Sequence, residues 1–262
     1  GLLDNYTSTF KPGAGGAVGL GAFQEIKGKP ESVLVTGIAM TGGLYSNKSP
    51  LNLLASTPVA KVLREYDAIV VPANSKYRTL KQLMDDLVAK PNSVAIAGGS
   101  KGGIDHQVIG LLAQKASIDP TKLNYVVFSG GPEVITSVLS GSTQVGISGS
   151  SEFNAFVSSG KLRVLGVSSA KALPGFKGKT FVSQGYDLVY GNWRGIMAPA
   201  DISKADYANF IKVIDIMHIS PSWQAQLKKN NWDNEFAAGT AFKAFLEKHI
   251  PEINKVMKGL GI

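Results

Sequence analysis

Val94-Ala-Ile-Ala-Gly-Gly-Ser-Lys-Gly-Gly-Ile-Asp-His106 passes through three kinds of local structure in succession. Residues 94–97 are an unbroken apolar run of strand length. Gly98 to Gly103 form a Gly-rich connection. Ile104, Val108, Leu111 and Leu112 then recur at the spacing of one helix face. A strand that enters a helix through a Gly-rich turn is the repeating unit of an α/β fold.

The same succession occurs at three other places. Pro12-Gly-Ala-Gly-Gly16 leads to a helix near residues 19–26, Phe128-Ser-Gly-Gly131 has Pro132 at the next helix's first position, and Ser148-Gly-Ser-Ser151 follows another apolar run. Strands are expected at 7–10, 33–38, 68–71, 94–97, 125–128, 145–148, 164–167 and 195–198, all short and apolar, as in mostly parallel sheets covered on both faces. Thr79-Leu-Lys-Gln82 reads as a capping box ahead of a stripe of Leu80, Leu83, Met84, Leu87 and Val88. Ser203 and Ser220 cap two further helices, and Phe242, Phe245, Leu246, Ile250 and Ile253 mark a last one that Pro251 could bend. Segments 66–74 and 190–199 look like strands entering and leaving a central block. The expected architecture is α/β in two lobes joined by two hinge strands, 1–71 plus 194–262 in one and 72–193 in the other, with a cleft between them.

Composition narrows the function. No apolar run approaches the ~18 residues of a membrane helix; the segment 33–44 is cut by Gly37, Thr41, Gly42 and Gly43. Residues 1–6 read as free of a leader, with Asp4, Asn5 and Tyr6 following Gly1 almost at once. Lys plus Arg number 27 against 19 Asp plus Glu, but the excess is scattered and no basic run or nucleic-acid signature accompanies it. Such a diffuse positive field suits a small anionic ligand. With no cysteine, thiol catalysis, disulfides and cysteine-ligated metal are excluded, and an oxidising compartment is compatible. His106, His218 and His249 are too far apart for a local metal motif, and the latter two read as solvated. No acidic motif that would hold an ammonium group stands out, so a multicarboxylate is expected rather than a sugar or an amino acid.

The four Gly/Ser junctions are the candidate chemistry. Ligands of open α/β sheets bind beyond the carboxyl ends of the strands, where helix starts offer free N–H groups and a positive dipole end. Lys101 lies within one of them. The nucleotide reading fails, because the third glycine of the dinucleotide fingerprint is displaced to Gly19 and no Walker sequence exists. Gly146-Ile-Ser148-Gly-Ser150 is a near miss to a nucleophile elbow, so an ester hydrolase using Ser148 with Asp105 and His106 is the alternative. In Asn192-Trp-Arg194, Trp193 and Arg194 stand open between a packing pair at a crossover and a guanidinium fork aimed at a ligand carboxylate.

Taken in order, Pro12-Gly-Ala-Gly-Gly16, Tyr45-Ser-Asn-Lys-Ser-Pro50, Gly98-Gly-Ser-Lys-Gly-Gly-Ile-Asp-His106, Phe128-Ser-Gly-Gly131, Gly146-Ile-Ser-Gly149 and Gly191-Asn-Trp-Arg-Gly195 resemble the periplasmic substrate-binding proteins of tripartite tricarboxylate transporters, the TctC type within the wider Bug family. The resemblance covers nearly the whole chain. It implies a two-lobed periplasmic-binding-protein fold of type II and a receptor, not an enzyme. Such a receptor takes a citrate-like di- or tricarboxylate in the cleft and delivers it to a membrane permease. It implies a monomeric periplasmic protein whose signal peptide has been removed, with no cofactor, no metal, no nucleic acid and no membrane insertion. The ligand-binding set expected on this basis is Met40, Thr41, Gly98, Ser100, Gly102, Gly103, Asp105, His106, Ser129, Gly130, Gly131, Ser148, Gly149 and Arg194. The family's usual N-terminal strand, loop and helix are expected ahead of the point where this sequence begins.

Overall fold

The structure, a computed structural model, describes residues 7–262; the reading of 1–6 as free of a leader falls outside the described residues. The described chain divides into two units. One comprises the chain up to Arg64 together with Trp193–Asn254, the other Glu65–Asn192 with Lys255–Ile262. The chain therefore passes between units three times, once more than the two hinge strands expected.

The first unit opens with α1 (Ala17–Gln24), followed by β1 (Leu34–Gly37) and α2 (Ile38–Ser46). β2 (Thr57–Pro72) begins in this unit and ends in the other. The second unit continues with α3 (Leu80–Ala89), β3 (Ala95–Gly98), α4 (Ile104–Lys115), β4 (Asn124–Val127), α5 (Gly131–Leu139), β5 (Val145–Gly149), α6 (Ser150–Ser158) and β6 (Leu162–Val167). β7 (Gly191–Ala198) returns to the first unit, which adds α7 (Lys204–Ile219), α8 (Pro221–Asn230), β8 (Ala237–Ala238) and most of α9 (Thr240–Gly259).

In the second unit β3 lies parallel to both β4 and β5, while β2 runs antiparallel to β5 and β6. In the first, β1 is antiparallel to β7 and β8 to β2. The sheets are thus mixed, not mostly parallel. A short apolar run reports that a strand is covered on both faces, and it carries no information on direction. The core of the second unit packs Tyr66, Val70, Val134, Val138 and Phe153 around these strands. That of the first gathers Val59, Leu63, Ala198, Ile214 and Leu227.

Several local expectations hold and others fail for identifiable reasons. Thr79 caps α3 in a full capping box, and Leu80, Leu83, Met84 and Leu87 face inward, though Val88 is exposed. Residues 7–10 form no strand: Phe10 is exposed, and strand-forming residues without a pairing partner stay irregular. Ile38 starts a helix. β2 extends far beyond 68–71 because Lys61 and Arg64, which hide its pattern, both pair with Glu235. His249 is not solvated but stacks on Phe245 at 4.8 Å, beside Trp193, which is fully buried among Phe242 and Phe245. Packing is thus the role that the structure gives Trp193. The last residues fold onto the second unit, where buried Leu260 abuts the Cα face of Gly110 on α4.

Candidate functional site

Eleven of the expected site residues belong to the second unit, around the carboxyl ends of the parallel strands β3 and β5. β3 ends at Gly98, where a side chain would run into the Tyr125 ring, its Cε2 lying 2.7 Å from an ideal Cβ. That absence of a side chain lets the Tyr125 hydroxyl donate to the Gly99 carbonyl at 2.9 Å and lets the His106 ring stack on Tyr125 at 4.1 Å. Gly102 takes a positive φ of 76°, which turns its N–H toward His106 Nδ1 at 3.2 Å. As an acceptor there, Nδ1 is unprotonated. Burial, with the Lys101 charge adding to it, lowers the His106 pKa to about 4, so the ring is neutral at pH 7. Gly103 starts α4 by donating to the Ser100 carbonyl at 2.8 Å.

The N–H groups that the sequence offers to an anion are largely engaged by the protein's own carboxylates. Gly99 N–H donates to Asp105 Oδ2 at 2.7 Å, and Ser129 N–H donates to Glu133 Oε2 at 3.0 Å. Ser148 Oγ donates a short hydrogen bond to Glu152 Oε2, and the Glu152 carboxylate fills the space beside Gly131 at the start of α5. Gly149 has carboxylate oxygens of Glu152 and Glu65 at 3.6 and 3.7 Å from its ideal Cβ position, and Glu65 is held by Asn192 Nδ2 at 2.8 Å. Gly130 has open space where a side chain would stand.

Behind these loops lies Asp67 on β2, in register with Gly149 at the end of β5 and 1% exposed. Its backbone is pinned by Ser168, whose hydroxyl accepts the Asp67 N–H at 3.0 Å and whose own N–H donates to the Asp67 carbonyl at 2.9 Å. Burial first, and then the neighbouring carboxylates of Asp105, Glu65 and Glu152, push the Asp67 pKa well above the usual carboxylate range. Asp105 is raised to about 6, again chiefly by burial, against the lowering effect of its bond from Gly99. Tyr125 is raised by burial and by the same two aspartates. An acidic cluster exists here after all. Sequence missed it because Glu65, Asp67, Asp105 and Glu152 are scattered over three elements and no local spacing joins them. Among the described residues no group of three or more His, Asp or Glu is arranged to hold a metal ion.

The hydrolase trio is not assembled as a relay. The Ser148 hydroxyl is directed to Glu152, while His106 receives the Gly102 N–H and stacks on Tyr125. The other three expected residues belong to the first unit. Thr41 Oγ1 donates to the Gly37 carbonyl at 3.3 Å, Gly37 pairs in register with Arg194, and Met40 Sδ accepts from Thr36 Oγ1 at 3.4 Å. Met40 and Thr41 are both buried, and Met40 lies against Gly16 of the first Gly-rich loop.

The family model of the tripartite tricarboxylate transporter receptors, TctC, matches residues 7–262. A curated relative from Pseudomonas sp. strain P51, a UPF0065 protein in the tcbD-tcbE intergenic region, is 21% identical over 196 residues, covering 72% of this chain. The chain spans 57% of that relative's length. Among solved structures, R. palustris Rpa4515 with adipate has a TM-score of 0.84 at 15% identity, over 95% of this chain and 84% of that one. MatC (Rpa3494) from Rhodopseudomonas palustris with bound malate gives 0.79 at 15% identity, over 94% and 85%. At such identities the likeness is one of fold.

Proposed function

The chain belongs to the tripartite tricarboxylate transporter receptor family, and from that membership we propose that it is a periplasmic solute receptor for a small carboxylate. The family match over residues 7–262 is the observation that carries the reading. Solved relatives of the same fold hold adipate and malate, which favours a ligand with two carboxylates or more, citrate among the candidates. No helix among the described residues is long and apolar enough to cross a membrane, so transport needs a separate permease to which the receptor hands its ligand. We infer that the permease is that of a tripartite tricarboxylate transporter, and that the receptor acts as a monomer.

The chemistry asked of the protein is binding without turnover. Each ligand carboxylate removed from water needs N–H or O–H donors or a cation. Gly130 N–H at the open start of α5, the hydroxyl of Ser100, and the charges of Lys101 and Arg194 are the groups put forward for that task. Reversible binding fits a site in which the one serine poised on a carboxylate, Ser148, has no histidine bonded to it.

A thermal-shift screen of citrate, isocitrate, tricarballylate, succinate, malate, aromatic acids and a neutral sugar tests the proposal, followed by calorimetry of the best ligand. At least one di- or tricarboxylate should raise the melting temperature while the sugar does not. Stabilisation by the sugar alone, or turnover of simple esters at a rate that Ser148→Ala abolishes, would overturn the receptor reading.

A further inference from the structure

Asp67 is the least expected group in the second unit. It is 1% exposed, and neither of its carboxylate oxygens has a hydrogen-bond donor among the described residues. A buried acceptor left this way costs stability unless a donor is supplied from elsewhere. The group it faces is Asp105, another buried carboxylate, 6% exposed. Glu152, reaching from α6 and exposed to solvent, continues the same acidic line outward. The three stand where β5 and β3 end, with Asp67 opposite Gly149 and Asp105 bonded to Gly99. That is the side of a parallel sheet on which ligands are held.

An all-anionic ligand would meet repulsion along this line. A primary ammonium group supplies a positive charge and three N–H donors in compact form. We propose that Asp67, Asp105 and Glu152 form a subsite for an ammonium group carried by the carboxylate ligand, so that the receptor prefers an amino-carboxylate to the same acid without nitrogen. This deepens the receptor reading above and rests on it. In the empty protein the Asp67–Asp105 pair holds a proton in place of the ammonium, since burial and the carboxylates of Glu65 and Glu152 both favour the neutral form, with the Tyr125 phenol alongside. Binding of the cation displaces that proton. Affinity for the amino-carboxylate should therefore rise with pH through about 6, the pKa of Asp105.

Succinate, malate and aspartate differ only in the group on one carbon: hydrogen, hydroxyl or ammonium. Calorimetry of the full chain with these three probes, in buffers of differing ionisation enthalpy, isolates the ammonium. Aspartate should bind about tenfold or more tighter than succinate, with malate between them, and only aspartate should release a proton on binding. Asp67→Asn, which copies the shape of the neutral carboxyl, and Glu152→Gln on the surface should each remove most of that preference while leaving succinate binding intact. Melting curves verify that both variants fold. If Asp67→Asn and Glu152→Gln leave the aspartate-to-succinate ratio unchanged, the pair is a structural proton-sharing contact and the subsite is overturned. Equal binding of all three acids overturns the subsite alone. Binding of none of these or of the screened carboxylates overturns both the subsite and the receptor reading.

Discussion

Gly130 and the pair Asp105–His106 are the single residues on which the site can be probed most sharply. At Gly130 φ is 163°, an extended conformation that any residue adopts, and nothing lies within 4 Å of a built Cβ. Gly130→Val should therefore leave the melting temperature almost unchanged while weakening carboxylate binding about tenfold or more by covering the start of α5. Calorimetry beside a melting curve checks it; a folded variant with unaltered affinity would remove this loop from the site. Asp105 and His106 make opposite contributions to acid stability. Asp105 is raised from 3.8 to about 6, so its native state binds the proton more tightly, and the stability this confers at low pH is lost as pH rises through about 6. His106 is lowered from 6.5 to about 4, so its contribution is present above 6.5 and is lost as pH falls through about 4. The two slopes oppose each other in the same window. Asp105→Asn should steepen acid destabilisation between roughly pH 6.5 and 4, and His106→Gln should reverse the trend, as read from melting temperatures at fixed ionic strength.

The elements differ in how openly they were written. α3 announces itself locally, since Thr79 and Gln82 satisfy each other's end of the helix: Gln82 N–H donates to Thr79 Oγ1 at 3.3 Å and Gln82 Oε1 accepts the Thr79 N–H at 3.3 Å. Thr79→Ala should cost about 1 kcal/mol, a fall of about 2–4 °C in melting temperature. No change would mean that tertiary packing of Leu80, Leu83 and Leu87 alone sets the start of the helix. β3, β5 and their following helices were equally legible, because an apolar run, a glycine turn and a 3.6-residue stripe are all short-range signals. β2 was not. Its charged residues are accommodated by partners more than 160 residues away, such as Glu235 for Lys61, and no local pattern predicts a distant partner. The acidic cluster failed to show for the same reason: Asp67 and Asp105 meet only once β2 has paired with β5. The Gly/Ser loops were recognised as special, but their glycines serve the protein itself, Gly98 for Tyr125 and Gly131 for Glu152.

For the whole molecule, the formal charge of +8 sits on scattered side chains while the floor of the candidate site is acidic. The long-range field should draw a carboxylate in, and it is the part that salt screens. Raising ionic strength from roughly 0.05 to 0.5 M should slow association severalfold and change dissociation little, a split that stopped-flow kinetics resolves. An affinity loss entirely in the dissociation rate would place the decisive charges inside the site instead. The third passage of the chain bears on modularity. Residues 255–262 end α9 in the second unit, where Leu260 covers Gly110. A gene fragment cut to residues 65–192 is therefore not a transplantable cassette: it leaves an apolar notch on α4 that recombination between relatives must refill with a matching C-terminal tail. Tail and body are inherited as one, however far apart they lie in the gene.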